Sequence, residues 1–524
     1  MYSSVRFFAV AVSIKVVRAC MLHILYQKPH YHPPYGKIKT DMARLPNPGG
    51  DVGNWGVILN DFLNQAHTSG GLLKPITQST VVGLEADLAA RPLKANEYLN
   101  ALDFGAVGDG VTDNTLALQA MLNAGPHVFI PKGTFILSSA LQVKFHNAHI
   151  VMTPDTILKA AVGFTSSYML ISQNYNGIII DGHNAQIDLN DAVNRAIIIT
   201  TATGSGLFAD YVQINDLRVS NRPVVTTNKQ AAITLVRTRM PILTNIAITN
   251  YGYNNALGVE AYMLSITQSE QVKVQGLNLT NGYIGVGLDS TTDVQISNFS
   301  IVTMKDNGIY PLASAVHCTF TDGYINGVQE GIVMLSGYVH IINVRFLNCT
   351  NKGISARRAY YGKVINCHFE GNALAIGDND ATASTHLLIS QCTFINNGSS
   401  TNTILLNRLN HSDITDCHFY ETVASSSVIR INYRTGAESG GLGVRILRNN
   451  FQLVGKVPTY AVRIASANNC EVSHNTFVEA NTAINLFTAT SAPTGTIVAY
   501  NVYRDVTTTY LASGGVSATV LNYS

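Results

Sequence analysis

At 524 residues the chain is well past the size at which one hydrophobic core stops growing, unless a repeat lets that core extend lengthwise. Charged residues are only 13%, Gly is 42, Trp is 1, and the aliphatic residues fall in short alternating runs, which argues against a helical protein. A net charge of +2 gives no basic excess for nucleic acid, and 7 scattered cysteines without a CxxC pair exclude a small disulfide scaffold and give no metal cluster.

Residues 1–41 carry no periodic pattern. The apolar stretch Phe7 to Ile14 follows Arg6 and is broken by Lys15, so it is too short to span a membrane. It has the length of a signal-peptide core, but no small-x-small cleavage site follows; a plain extension, or a true start near Met42, are the other readings. Residues 42–98 read as an attachment module. The turn cluster Leu45-Pro46-Asn47-Pro48-Gly49-Gly50-Asp51 leads into a short amphipathic helix, Trp55 to Leu63. After Gly70-Gly71, residues 80–91 place Val81, Leu84 and Leu88 at i, i+3 and i+7 behind Thr80 as N-cap. So narrow a seam suits burial against copies of itself, and the segment resembles connectors of trimeric phage tail proteins. A homotrimer is expected, with packing on its own chain as the alternative.

Residues 99–524 read as one domain. It opens on Leu102-Asp103-Phe104-Gly105-Ala106-Val107-Gly108-Asp109-Gly110-Val111-Thr112-Asp113-Asn114-Thr115 and continues through His127-Val128-Phe129-Ile130-Pro131-Lys132-Gly133-Thr134-Phe135. These segments resemble the opening of the pectate-lyase-like superfamily, which includes rhamnogalacturonases, phage tailspikes and polysaccharide depolymerases. The resemblance implies a right-handed, single-stranded parallel β-helix with a capping helix. Asp113 is placed to cap that helix, Thr115 to Asn123, with Leu116, Ala120 and Met121 covering the open end. Gly105, Gly108 and Gly110 have the spacing G-x-x-G-x-G with no βαβ unit, so they are not a dinucleotide fingerprint. Asp109 and Asp113 read as turn and cap residues rather than calcium ligands.

Further along, a phrase of alternating apolar residues recurs, as in Val212 to Leu217, Val272 to Leu277 and Val294 to Phe299. Later copies end at Phe320, Phe346, Phe369, Phe394, Phe419, Phe451, Phe477 and Tyr503. Spacings in the twenties give one coil per repeat, with an insertion around Gly436 to Gly443. Stacked coils bring like residues into ladders. An interior Phe line is expected through Phe346, Phe369, Phe394 and Phe419. Two residues before each closing aromatic, Cys318, Val344, Cys367, Cys392, Cys417, Asn449, Asn475 and Asn501 predict a ladder of buried free thiols giving way to amides.

A solenoid surface suits an extended polymer, and its turns are where function resides. Two clusters fall into register. Asp306 and Glu330 lie on adjacent coils with Lys352 on the next, a spacing suited to a carboxylate pair, or to a plain charge ladder. Arg357 and Arg358 neighbour Asp378 and Asp380, Tyr338 is expected to stack on Tyr360, and Arg408 follows; the alternative is a solvated turn network. Asp306, Glu330, Asp378 and Asp380 are therefore the candidate catalytic residues; Arg357, Arg358, Tyr338, Tyr360 and Arg408 are candidate substrate-binding residues. Neither metal nor cofactor is implied. The polygalacturonase motifs, Asn-Thr-Asp-Gly, Gly-His-Gly and Arg-Ile-Lys, are absent, which counts against pectin cleavage. The expectation is a polysaccharide-binding β-helix, extracellular or on a cell or virion surface, acting as a glycoside hydrolase or lyase. A non-catalytic adhesin or virion structural protein on the same scaffold is the alternative.

Overall fold

Each strand of the repeat is too short to bury its apolar face alone, so stability comes from coil stacking on coil. In the computed structural model every strand ladder is parallel: a 15-stranded sheet takes one strand per coil, from Leu141–Val143 to Thr508–Ala512, a 26-stranded sheet takes most of the others, and two short pairs complete the set. The structure describes residues 98–521 apart from 203–205, 226–228, 255–258, 379–383, 399–401, 423–424, 433–441, 467, 488–493 and 513–515. The expectations for residues 1–97, for Asp380 and for most of the 436–443 insertion lie outside the described residues.

Strand Thr292–Met304 shows how the sequence makes a coil. Val294, Ile296, Phe299 and Ile301 are buried, while Gln295 and Asn298 are exposed. The alternation slips by one between Ile296 and Phe299 because Asn298 has φ 52° and turns the chain through a corner. Equivalent corners at Asp216, Asn245, Asp322, Asn343 and Asn366 all have positive φ. Asn and Asp tolerate that conformation better than other side-chain-bearing residues. Their side chains also bond along the stack, as Asn366 Nδ2 does to Asn343 Oδ1 at 2.7 Å.

The Phe line exists. Phe346, Phe369, Phe394, Phe419, Phe451 and Phe477 stack at 4.6–4.9 Å between ring centroids, and Tyr503 continues the row at 5.6 Å. The two earlier Phe residues of the repeat do not belong to it. Phe320 pairs with Ile296 and Ile341, whereas Phe299 pairs with Gly323, whose missing side chain leaves room for the ring. The line instead runs back from Phe346 to Ile325 and Ile301, because the corner residue breaks any constant count from the start of the phrase.

The cysteine ladder is shorter than expected for the same reason. Cys367, Cys392 and Cys417 form it, and Asn449, Asn475 and Asn501 extend it, each amide oxygen accepting the backbone N–H of the coil before. Cys318 pairs with Val294 on a different line. All six described cysteines are buried and free. A second interior ladder runs Cys349, Asn372, Asn397 and ends at Glu421, which accepts from Thr403 at 2.9 Å. Burial pushes the Glu421 carboxyl up to about 8, against hydrogen bonds from Thr403 and Asn397.

Helix Thr115–Ala124 caps the first coils; its N-cap is Asn114 and not the expected Asp113, which stands one residue outside and accepts from the Thr115 N–H at 3.0 Å. Its covering face differs from the expected one: Leu118, Met121 and Leu122 are buried, while Leu116 and Ala120 are exposed. Asp109 folds into a turn, accepting from Val111 N–H, Thr112 N–H and the Thr112 hydroxyl, bonds that hold its carboxyl down at about 2.

Candidate functional site

Glu330 opens strand Glu330–Val333, and Lys352 opens the strand of the next coil, so the parallel register sets the two side by side. Lys352 Nζ donates to Glu330 Oε1 at 2.8 Å, and Asn351 donates to the same oxygen at 3.0 Å. Arg357 reaches back to Oε2 at 2.8 Å, steadied by the Ser355 hydroxyl at 3.1 Å. The Glu330 and Lys352 side chains are 4% and 1% exposed, against 34% for Arg357. Leu374 leans over Gly377 toward the Lys352 stem, a packing that any Cβ at Gly377 would block. Both Glu330 oxygens are engaged by cations, which leaves neither free to meet a substrate.

Asp306 sits at the edge of this group. Asn307, rather than Asp306, pairs with Glu330, so Asp306 lies one residue out of the register read from the sequence. Burial first, and then the negative charges of Glu330 and Glu260, push its carboxyl up to about 6, with Arg357 acting the other way. Glu260 accepts a hydrogen bond from the Tyr262 hydroxyl at 3.0 Å, and the Tyr262 ring occupies the space over Gly287. Neither Glu260 nor Tyr262 was read as a site residue, although Glu260 immediately precedes its strand just as Asp306 does.

The turn after this sheet holds the second cluster. Tyr338 stacks on Tyr361, at 5.2 Å and 7°, and not on Tyr360, whose carbonyl accepts the Tyr338 N–H. The row extends through His386 at 4.5 Å and His411 at 5.7 Å, and backward to His317 at 4.9 Å. All five are exposed and have positive φ. The spacing carried a signal: Tyr338, Tyr361, His386 and His411 each stand 8 residues before an interior Phe. Arg358 is exposed, Arg357 turns away to Glu330, Asp378 is buried, and Arg408 is half-buried at another positive-φ corner. The cluster expected around paired Arg and Asp is thus divided between the sheet face and the turn. A separate open groove of about 520 Å³ lies on earlier coils, lined by Lys159, Asp188, Asp191, Asn221, Asn250 and Tyr253 among others.

Residues 98–310 match the family described as rhamnogalacturonase A/epimerase, pectate lyase-like. Over those residues the chain is pectate-lyase-like, and its coils continue beyond them as one parallel β-helix. Solved structures with similar coils include the N-terminal fragment of gene product 12 of bacteriophage Phi29 (12% identity, 84% of this chain and 95% of that one, TM-score 0.48). The Dettilon tailspike protein matches at 13% identity over 77% of this β-helix chain and 68% of its own, with a TM-score of 0.42. PfbA, a surface adhesin of Streptococcus pneumoniae, matches at 12% over 80% and 93%, with a TM-score of 0.34. At these identities the likeness is one of fold. No helix of the described residues of this β-helix is long and apolar enough to cross a membrane.

Proposed function

We propose that this β-helix binds a polysaccharide across the outer face of its 15-stranded sheet and the adjoining ring row, and cleaves it as a glycoside hydrolase. The observation that carries the reading is the half-exposed Asp306 carboxyl, raised to about 6 beside a Glu330 anion that two cations fix in place. A carboxyl whose surroundings raise it, beside a second acid, is the arrangement acid–base chemistry uses. Asp306 is the proton donor to the leaving sugar oxygen, and Glu260 is the second carboxylate, in the place first given to Glu330. Burial first, and then the charge of Glu330 held by Lys352 and Arg357, raise the Asp306 carboxyl toward the range where it can give up a proton. The family description, with its rhamnogalacturonase, supports a sugar polymer as the substrate class. Asp378 is too deeply buried to touch substrate and drops to a supporting role. Cell-surface or virion location and a homotrimer joined through residues 80–91 belong to the same reading; a monomer in sedimentation at micromolar concentration removes the trimer.

Incubation with a panel of bacterial and plant polysaccharides, followed for reducing ends and for absorbance of unsaturated uronates, tests the activity. Asp306→Asn should lose on the order of a hundredfold or more in rate. Because the protonated form is the active one, the parental rate should fall as pH rises through about 6. The sequestration of Glu330 specifically favours one other reading, a non-catalytic adhesin, and glycan binding with no new ends or unsaturated products would establish it.

A further inference from the structure

On the opposite sheet, at the first coils, four hydrogen bonds join five side chains from five coils, the strand of His127 lying between those of Tyr98 and His149. The Tyr98 hydroxyl lies 2.6 Å from His149 Nδ1, and His149 Nε2 lies 2.6 Å from Asp181 Oδ2. Asn215 Nδ2 donates to Asp181 Oδ1 at 2.7 Å, and the Thr244 hydroxyl donates to Asn215 Oδ1 at 2.6 Å. The direction of the chain follows from its far end. Burial alone would raise the Asp181 carboxyl, but the bonds from Asn215 and His149 outweigh it and hold it below the ordinary range, so Asp181 is an acceptor. His149 Nε2 therefore carries the proton, and in the neutral ring Nδ1 is free to accept from Tyr98. Tyr98 is 39% exposed, so the phenol oxygen faces both solvent and its base.

A hydroxyl within reach of an imidazole that a carboxylate in turn orients is the arrangement by which nucleophiles are activated. The surroundings narrow the substrate. His127 lies beside Tyr98, with ring centroids 5.7 Å apart, and can donate to a developing oxyanion. Phe129 and Val151, half-exposed and in register with Asp181, stand two residues along from His127 and His149 and form an apolar strip on which an acyl group can rest. We propose that Tyr98, His149 and Asp181 form a second active site, which hydrolyses carboxylic esters such as acyl groups carried on sugar hydroxyls.

The steps balance without a further reagent. Tyr98 Oη bonds to the acyl carbon while its proton passes to His149 Nδ1, and the carbonyl pair moves onto oxygen. Collapse of that adduct breaks the bond to the alcohol, which leaves with the proton from Nδ1. Water then repeats the sequence on the tyrosyl ester, freeing the acid and restoring the phenol. Tyr98 is the catalytic residue, His149 its base, and Asp181 a positioning residue that fixes the tautomer.

The test uses the whole chain and p-nitrophenyl acetate. A burst of p-nitrophenol is expected, with an acetyl group found by mass spectrometry on the peptide that holds Tyr98. Tyr98→Phe should abolish both, with an unchanged melting temperature. Asp181→Asn should slow acylation on the order of a hundredfold with KM unaltered, a split that a purely structural role would not give. Asp306→Asn should leave the ester activity intact and Tyr98→Phe should leave glycan cleavage intact, so each site stands or falls alone. Acetyl appearing only on lysines or other histidines, or a Tyr98→Phe protein that retains the burst, overturns the proposal.

Discussion

Two rows of rings run along this molecule, one inside and one outside, and the same coil geometry builds both. The interior row, Phe346 to Phe477, stacks at 4.6–4.9 Å with its rings fully buried. The exterior row stacks from Tyr338 to His411 at 4.5–5.7 Å, with His317 tilted against its end and with Tyr338 45% and Tyr361 47% exposed. Coil rise alone brings like positions within stacking distance, whichever way the side chain points. The rows differ in what surrounds each ring, and hence in what a ring contributes. Inside, a ring is part of the packing on every side. Outside, it presents its edge, with hydroxyls and ring nitrogens, to solvent.

The largest effect expected from that difference is at the centre of the inner row. Phe394→Ala leaves a ring-sized hole between Phe369 and Phe419 and should cost about 3–5 kcal/mol, read as a shift of the denaturant midpoint. A loss under about 1 kcal/mol would mean the solenoid closes over the gap, and the inner row would then resemble the outer.

The charged pair on the sheet's face is exterior by topology but interior by burial. Lys352→Met keeps much of the stem that packs under Leu374, yet leaves Glu330 buried with Arg357 as its remaining cation. The expected cost is about 3–5 kcal/mol, because half of a buried pair is worse than none. Adding Glu330→Leu should recover most of it. If the double variant is no more stable than the single, the pair acts through something other than its charges.

These examples mark how far the sequence carried. The β-helix, the capping helix and the Phe line were legible, because periodic apolar residues at coil spacing leave few other ways to bury themselves. Cys318 and Phe320 were misassigned because they lie before the left-handed Asp322 corner, Phe320 five residues ahead of the Phe line at Ile325, and apolar residues alternate alike on both sides of a corner. The exterior row was read one residue out, at Tyr360 instead of Tyr361, because it was counted from the neighbouring tyrosine and not from the interior Phe that stands 8 residues after each row member. Glu330 and Lys352 were placed together correctly, but their burial depends on Leu374 and Arg357 folding across them, which spacing does not reveal.

The polar ladder inside the molecule offers a pH test. Glu421 is raised to about 8 in the folded chain, whereas an unfolded glutamate titrates near 4.5. The unfolded state therefore loses its proton first. The stability contributed by the protonated form is fully present below about 4.5 and is lost progressively as pH rises to about 8. Glu421→Gln keeps an acceptor for Asn397 and Thr403 and carries no charge at any pH. Relative to the parental protein, the variant should gain melting temperature steadily across that window, with little difference at pH 4. A gap that does not change with pH would show that Glu421 is ionised in the fold and that its ladder is wetter than its burial implies.

The smallest effect on stability belongs to the outer row, and there the comparison is sharpest. Tyr361 lies between Tyr338 and His386 just as Phe369 lies between Phe346 and Phe394, so the two positions differ chiefly in exposure. Tyr361→Ala removes two stacking contacts but opens no cavity, since water already reaches the ring. Substitutions of this kind usually stay within about 0.5 kcal/mol. The cost should appear instead in binding, because a saccharide lying along the solenoid axis would lose a hydroxyl donor from the middle of the row. Glycan affinity should fall about tenfold, as befits one or two lost hydrogen bonds, while the melting temperature barely moves. Tyr361→Phe separates the ring from its hydroxyl: it restores the stack but not the donor, so affinity that stays low assigns recognition to the ring edge. Affinity that returns with Phe would make the row a stacking surface, and a large fall in melting temperature with either change would make it part of the core.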